Sequence, residues 1–490
     1  MKKRFLMLAV AALLLTACGT GGGDQDPRME LPPEPGEGVM IYAALNPVSR
    51  QVQSYINDFN GSHEDVQIEV RDYSDENGPQ RLLVELAAGR VPDTMEMRRY
   101  EVPKPGRENR GDNEFYTPML TDRPENEYWM PYRQMAQKGY LEDLWPYIEN
   151  DPDLGRENVQ ETLLKAAEIN GGLFILFKKV RVATLMGPED LVGKRYGWTF
   201  DELMEVFSAM PEESTILRYN ATRWEVFSGL ISCTLDKYID WEVGRSLFDS
   251  EEFRNVLQFL NSFPDEAKDE SVEDTEYEIM WRIRNGRQLL ESTLVHSMLD
   301  LVDTDTVWGK RAAFPGYPTK EGGSGNFFIA SGNILAMSST CRYKEEAWDL
   351  IRKQIVQQYR PRDLEKLATE SLGANMQIPV NRENYKLSIQ RDFAFDRHIS
   401  SLIKTPDFYP PYSIFPDGNY ASLPIRHVSE DDVLRFEELV NNTTQIYWPN
   451  DALANIVRES IGPYFAGDKT LEETVKLVQN RVTLYVNENQ

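Results

Sequence analysis

Apolar and polar positions over the first hundred residues of the body alternate between two rhythms. Val39 and Ile41 open an apolar strand. After the Asn46-Pro47 turn, Val52, Tyr55, Ile56 and Phe59 recur at i, i+3, i+4 and i+7, the spacing of one helix face. Val66, Ile68 and Val70 then alternate as a second strand. Leu82, Leu83 and Leu86 mark a second helix ending at Gly89, a residue suited to a left-handed C-cap, and Thr94 to Met97 reads as a third strand. The order β-α-β-α-β predicts an α/β fold with a largely parallel sheet and helices on both faces. Ligands of such sheets bind beyond the carboxyl ends of the strands, here the loops after Tyr42, Val70 and Met97.

Residues 101–131 are polar and rich in proline and read as a surface excursion, with order resuming at Tyr132. Leu173 to Phe177 is an apolar run suited to a fully buried strand. Helical signals dominate from there. Thr199-x-x-Glu202 and Asp249-x-x-Glu252 are capping boxes ahead of amphipathic runs, and Leu289 to Val295 is another candidate strand. Residues 308–340 are rich in Gly, Pro and aromatics, and Ala347, Trp348, Ile351 and Ile355 open a helical third. Ser429 and Thr470-x-x-Glu473 begin the last long helices. No period of solenoid or propeller length recurs.

The chain's 490 residues allow two or three domains, each able to bury its own core. With 79 Asp+Glu against 53 Lys+Arg the net charge is −26, so its long-range field repels phosphate backbones and argues against nucleic acid, leaving neutral and cationic ligands open. Lys2, Lys3 and Arg4 followed by the apolar run Phe5 to Leu15 form a signal peptide, too short to span a bilayer. It ends in Leu15-Thr16-Ala17-Cys18, which resembles the lipobox of bacterial lipoproteins. Residues 1–17 would then be removed, Cys18 would carry the lipid, and the charge would deepen by three to −29. Residues 18–38, with Gly21 to Gly23 and Pro32, Pro33 and Pro35, form a flexible tether holding the body at the extracytoplasmic face of the cell membrane. Cys233 and Cys341 either pair or remain two free thiols, and with four scattered histidines they supply no metal site.

Phosphate loops, dinucleotide fingerprints, zinc-protease helices and nucleophile elbows are all missing from the sequence. A secreted glycan hydrolase needs only two carboxylates placed by the fold, so it stands as the alternative. Asp300, Asp303 and Asp305 read as a polar loop without the spacing of a calcium site. The aromatic content of 11% suits stacking on pyranose rings. Trp308, beside a Gly/Pro-rich turn, and Trp224, next to Arg223, are the tryptophans to single out, whereas Trp198 and Trp348 read as structural.

Several segments, in order, resemble the extracellular solute-binding proteins of bacterial ABC importers, in the sugar-binding group that includes maltose-binding protein. They are Asp58-Phe59-Asn60, Leu86 to Asp93, Lys138 to Leu144, Gly171 to Ile175, Phe314 to Pro318, Arg342 to Trp348 and Gln479 to Tyr485, the last resembling lipoprotein members from Gram-positive bacteria. The resemblance implies a two-lobed, periplasmic-binding-protein-like α/β fold with discontinuous lobes, 39–176 with 289–345 and 177–288 with 346–490, closing on ligand in the cleft between them. It implies a monomer without cofactor or catalysis that binds a carbohydrate and hands it to permease subunits. By loop position it points to Asn46, Tyr73, Arg98, Tyr100, Lys178, Trp224 and Trp308 as ligand-binding residues. The 101–131 insertion and the apolar Leu176-Phe177, where the family has proline, depart from the pattern.

Overall fold

A computed structural model describes residues 34–99, 128–218, 221–241, 243–266, 276–356, 377–402, 413–414, 421–422 and 426–489. Cys18, most of the tether, Tyr100 and nearly all of the 101–131 segment lie outside the described residues. Eight strands form one sheet: β1 (Val39–Ala44), β2 (Gln67–Asp72), β3 (Thr94–Glu96), β4 (Leu176–Pro188), β5 (Glu291–Val295), β6 (Ala312–Ala313), β7 (Phe327–Met337) and β8 (Ile378–Pro379). The main helices are α1 (Arg50–Ser62), α2 (Gly78–Ala87), α3 (Phe200–Ser208), α4 (Glu251–Asn261), α5 (Met298–Trp308), α6 (Lys344–Ile355), α7 (Glu430–Asn442), α8 (Asp451–Phe465) and α9 (Leu471–Glu488). No described helix is long and apolar enough to cross a membrane.

The first β-α-β-α-β unit forms as its spacing predicts. Ser49 caps α1 by accepting the Val52 N–H, Val52, Ile56 and Phe59 are buried, and Gly89 takes φ +77°. β1 pairs in parallel with β2 and β3. A Cβ on Gly78 would stand 1.9 Å from the Tyr73 carbonyl oxygen, so the turn into α2 requires glycine there. Beyond β3 the sheet is mixed, in the order β6-β4-β7-β3-β1-β2, with β5 and β8 also on β4. β7 runs antiparallel to both β3 and β4.

β4 differs from the expectation of a short strand followed by helices. It runs 13 residues, and Lys178 lies inside it rather than in a loop. From Val180 its side chains alternate between two cores. Val180, Val182 and Met186 join a cluster with α1, α2, α5, α6 and α7, while Ala183 and Leu185 join a second cluster with α3, α4, α8 and α9. β7 divides the same way, Phe328 and Ala330 to the first core and Phe327 and Ile329 to the second.

The capping boxes at Thr199/Glu202 and Thr470/Glu473 form as spaced, and Ser429, a helix start by sequence, makes a further box with Asp432. α4 starts one residue later than its sequence box suggests: Ser250, not Asp249, accepts the Phe253 N–H. Glu252 is thereby free to accept from the Tyr238 hydroxyl at 3.1 Å. Asp300, Asp303 and Asp305 lie in α5, not in a loop. Asp300 completes the Ser297 cap, and Asp305 receives Arg435 at 2.7 Å and Arg426 at 2.7 Å. Cys233 and Cys341 are free thiols. Trp198 and Trp348 are structural, their indole N–H groups donating to Gly316 O at 2.8 Å and Asp151 Oδ2 at 3.0 Å.

Candidate functional site

The carboxyl ends of β1 and β3 lie side by side, and one carboxylate ties them together. Glu96 accepts from the Tyr42 hydroxyl, the Asn46 backbone N–H and Asn46 Nδ2, each at 2.8 Å. Asn46 Nδ2 also donates to Arg98 O at 2.8 Å. Burial pushes the Glu96 carboxyl up, and the donors around it offset part of that cost. Both oxygens are engaged, so Glu96 fixes the two loops relative to each other.

Just past this clamp β7 changes partners. Leu335 to Met337 pair with β3, whereas Phe328 accepts from Tyr447 N at 2.7 Å and donates to Gln445 O at 2.9 Å. The gap between falls at a β-bulge, where the register slips between Ser331 and Ile334 and Gly332 has φ +81°. Arg98 bridges it: Nη1 donates to Ala330 O at 3.1 Å, and the guanidinium stacks on Trp129 with 4.4 Å to the ring centroid.

Aromatic side chains from distant segments converge on this junction. Residues Tyr128–Trp129 pair antiparallel with Arg98–Arg99. Trp129 meets Trp448 edge to face at 4.8 Å, and Tyr132 packs on Trp448 at 5.0 Å. From the same short helix as Tyr132, Arg133 lies over Trp241 at 5.4 Å, and Trp241 meets Tyr485 at 6.4 Å. Tyr485 and Tyr447 belong to the second core, whereas Trp129, Tyr132 and Trp448 pack on the first, so the junction draws on both.

β4 contributes cations. Lys179 lies opposite Ser331, and Val180 opposite Ala330, whose carbonyl Arg98 holds. Lys179 and Arg181 share the face that carries Ala183 and Leu185 further on, and Lys178 takes the other. Burial and then Lys179 push the Lys178 amine down to about 8. Lys179 is lowered as well, by burial and then Arg181.

Among the sequence-predicted site residues, Asn46 and Arg98 come together at this junction, and Lys178 lies within β4 two strands from β3. Tyr73 is 3% exposed, its hydroxyl donating to Glu85 at 2.7 Å. Trp308 closes α5 inside the first core at 1% exposure, with no ring face open. Trp224 packs on the second core between Phe227, Phe465 and Arg458. Trp129, Arg133, Lys179, Trp241 and Trp448 were not singled out by sequence. Trp448-Pro449-Asn450, an aromatic directly before a proline and a helix N-cap, was the one local sign. No group of three or more His, Cys, Asp or Glu suited to a metal occurs among the described residues.

No family model and no curated protein matches the chain. Similar solved structures are ABC-transporter sugar-binding proteins aligned over most of the chain. The sugar-binding protein MalE from Xanthomonas citri is 13% identical, covering 92% of this chain and 97% of that one, with a TM-score of 0.47. A periplasmic oligogalacturonide binding protein from Yersinia enterocolitica is 14% identical, covering 92% and 99%, at 0.48. An ABC substrate-binding protein from Listeria monocytogenes, in complex with cycloalternan, is 14% identical, covering 92% and 99%, at 0.43.

Proposed function

We propose that this chain is a lipid-anchored, extracytoplasmic substrate-binding protein of an ABC importer that captures a sugar or oligosaccharide and delivers it to membrane permease subunits. One observation carries the reading: at the β7 partner switch, aromatic and cationic side chains from both cores meet on segments far apart in sequence. A pyranose offers an apolar C–H face to rings such as Trp129, Trp241 and Trp448, while its hydroxyls accept from arginine. Contact with elements of both cores couples ligand binding to their separation, and β4 and β7, shared by the two, are the hinge.

Ligand shifts an open/closed equilibrium only by its differential affinity for the two forms, so closure requires contacts made by both sides at once. Cys18 would hold the lipid, and 18–38 would give the body reach above the membrane. The motif series, from Asp58-Phe59-Asn60 to Gln479 to Tyr485, and the lipobox support the same reading. The protein acts as a monomer and breaks no bond.

The test is thermal unfolding of the full chain against mono- and oligosaccharides and oligopeptides, with chromatography of each mixture. Ligand at 100 times its dissociation constant adds about 2.7 kcal/mol. A saturable shift without products is expected. Product formation would replace binding by glycan hydrolysis, and a shift with peptides alone would remove the sugar assignment.

A further inference from the structure

Resting on that reading, we propose that Arg98 couples the Trp129 ring to the hinge: it is the arm that must yield when β7 bends, so that ligand on the ring and motion of the strand are one event. The bend has a defined place. Ser331 lies opposite Lys179 and Ile334 opposite Phe177, so Gly332 and Asn333 together stand against Lys178 alone. Such a bulge interrupts the ladder and lets a strand bend and twist locally. Gly332 is exposed and takes φ +81°, and a Cβ there would meet nothing within 4 Å, so its surroundings leave room for movement. β4 is steadied on its other edge, where Val380 N donates to Lys178 O at 3.0 Å, which leaves β7 as the strand that flexes.

Successive residues grip the two sides of this bulge. Met97 N donates to Ile334 O at 2.9 Å on one side, and Arg98 Nη1 donates to Ala330 O at 3.1 Å on the other. A bend at Gly332 and Asn333 changes the spacing of those two carbonyls, so one donor must follow its acceptor or let go. The Met97 donor is backbone, set at the end of β3, whereas the Arg98 donor stands at the tip of a long side chain. Arg98 is 8% exposed and its guanidinium lies 4.4 Å from the Trp129 ring centroid, so it cannot shift without disturbing that stack. The coupling is reciprocal: whatever repositions Trp129 pulls on the bulge, and whatever bends the bulge repositions Trp129. Arg98 is on this assignment a positioning residue, acting on the ligand through Trp129.

The test is hydrogen exchange read by mass spectrometry on the full chain without saccharide, comparing Arg98→Met, Trp129→Leu and the double variant. Arg98→Met should speed exchange of the peptide spanning residues 328–337 by about tenfold or more, since a hydrogen bond from a charged donor is lost, while β1 and α1 exchange as before. Trp129→Leu should speed the same peptide by about threefold. The double variant should exchange no faster than Arg98→Met, because the ring acts through the guanidinium. Additive effects in the double variant, or no change in either single one, would overturn the coupling; faster exchange throughout the chain would reduce Arg98 to a residue of general stability and overturn it too. If Arg98→Met does not fold, Gly332→Ala, which strains the backbone without a clash, should alter exchange of the peptide spanning residues 128–137, and no change there overturns the proposal. With no saccharide present these outcomes bear on the coupling alone, and the unfolding panel decides sugar binding separately.

Discussion

Trp448 meets Trp129 edge to face, with ring centroids 4.8 Å apart and planes at 79°, and its indole N–H donates to the carbonyl of Met130 at 2.8 Å. The segment leading into α8 is thereby latched to the segment that pairs with Arg98–Arg99. The two are 318 positions apart, so the latch joins early and late parts of the chain.

Replacing Trp448 by alanine removes a ring face, the contacts to Trp129 and Tyr132, and the donor to Met130. Affinity for the cognate saccharide should fall by about 1–3 kcal/mol, roughly fivefold to 150-fold. Trp448→Phe should recover part of this, since the ring stays while the N–H is lost. Isothermal titration of the two variants checks it; equal affinity in all three proteins would remove Trp448 from the site.

Lys178 should cost the fold stability for as long as it is protonated. Burial, with Lys179 beside it, lowers its amine to about 8 against about 10.4 in the unfolded chain. A base with a lowered folded value costs the native state while protonated, fully below about pH 8, and the cost fades as pH climbs towards 10. Lys178→Met should therefore raise stability at pH 7 by about 1–3 kcal/mol, and the gain should vanish near pH 10. Urea unfolding of both proteins across that range gives the answer.

Asp432 sets an acid limb. Burial alone would raise its carboxyl, but Arg426, at 2.6 Å to each oxygen, together with the Ser429 hydroxyl and N–H, holds it at about 2. A carboxylate lowered in the folded state stabilises above its unfolded value near 3.9, and that contribution is lost as pH falls towards 2. About 2 kcal/mol should disappear over this interval, and Asp432→Asn should be less stable at pH 7 with a flatter acid limb. Stability measured from pH 7 to 2 decides it.

Both body cysteines, Cys341 buried and Cys233 half-buried, should behave as neutral thiols. Burial raises Cys341 to about 12 and Cys233 well above the ordinary thiol range, so neither forms thiolate at neutral pH. Dithiothreitol should leave the melting temperature unchanged, and iodoacetamide should label both only once the chain is unfolded. A drop on reduction would mean that the two are bonded.

What the sequence could reveal was what it encodes locally. The α1 face from Val52 to Phe59, the left-handed Gly89 and the Thr199, Ser429 and Thr470 caps depend on neighbours within a turn or two, and each formed as spaced. β4 did not read as a long strand. Its valines alternate with Lys179 and Arg181, but the apolar run from Val182 hides the period, because both faces there are buried. The acids of α5 read as loop because nothing nearby shows that Asp305 will meet Arg435 and Arg426 from beyond residue 425. The site was half legible: Asn46 and Arg98 follow from where parallel strands end, whereas Trp129, Trp241 and Trp448 meet only because β7 exchanges partners, an event of tertiary structure.

β4 and β7 hand alternate side chains to different cores, and this makes their length a matter of parity. Deleting a single residue near Val182 would trade Val182 and Met186 for Ala183 and Leu185, presenting each core with the other's complement, large where small is fitted and the reverse. Removing two adjacent residues would restore the assignment and shorten the span. Away from a bulge such as the one at Gly332, which absorbs an odd residue, the two strands can therefore keep this assignment only through changes of length in steps of two, a restriction that the loops on either side of them do not share.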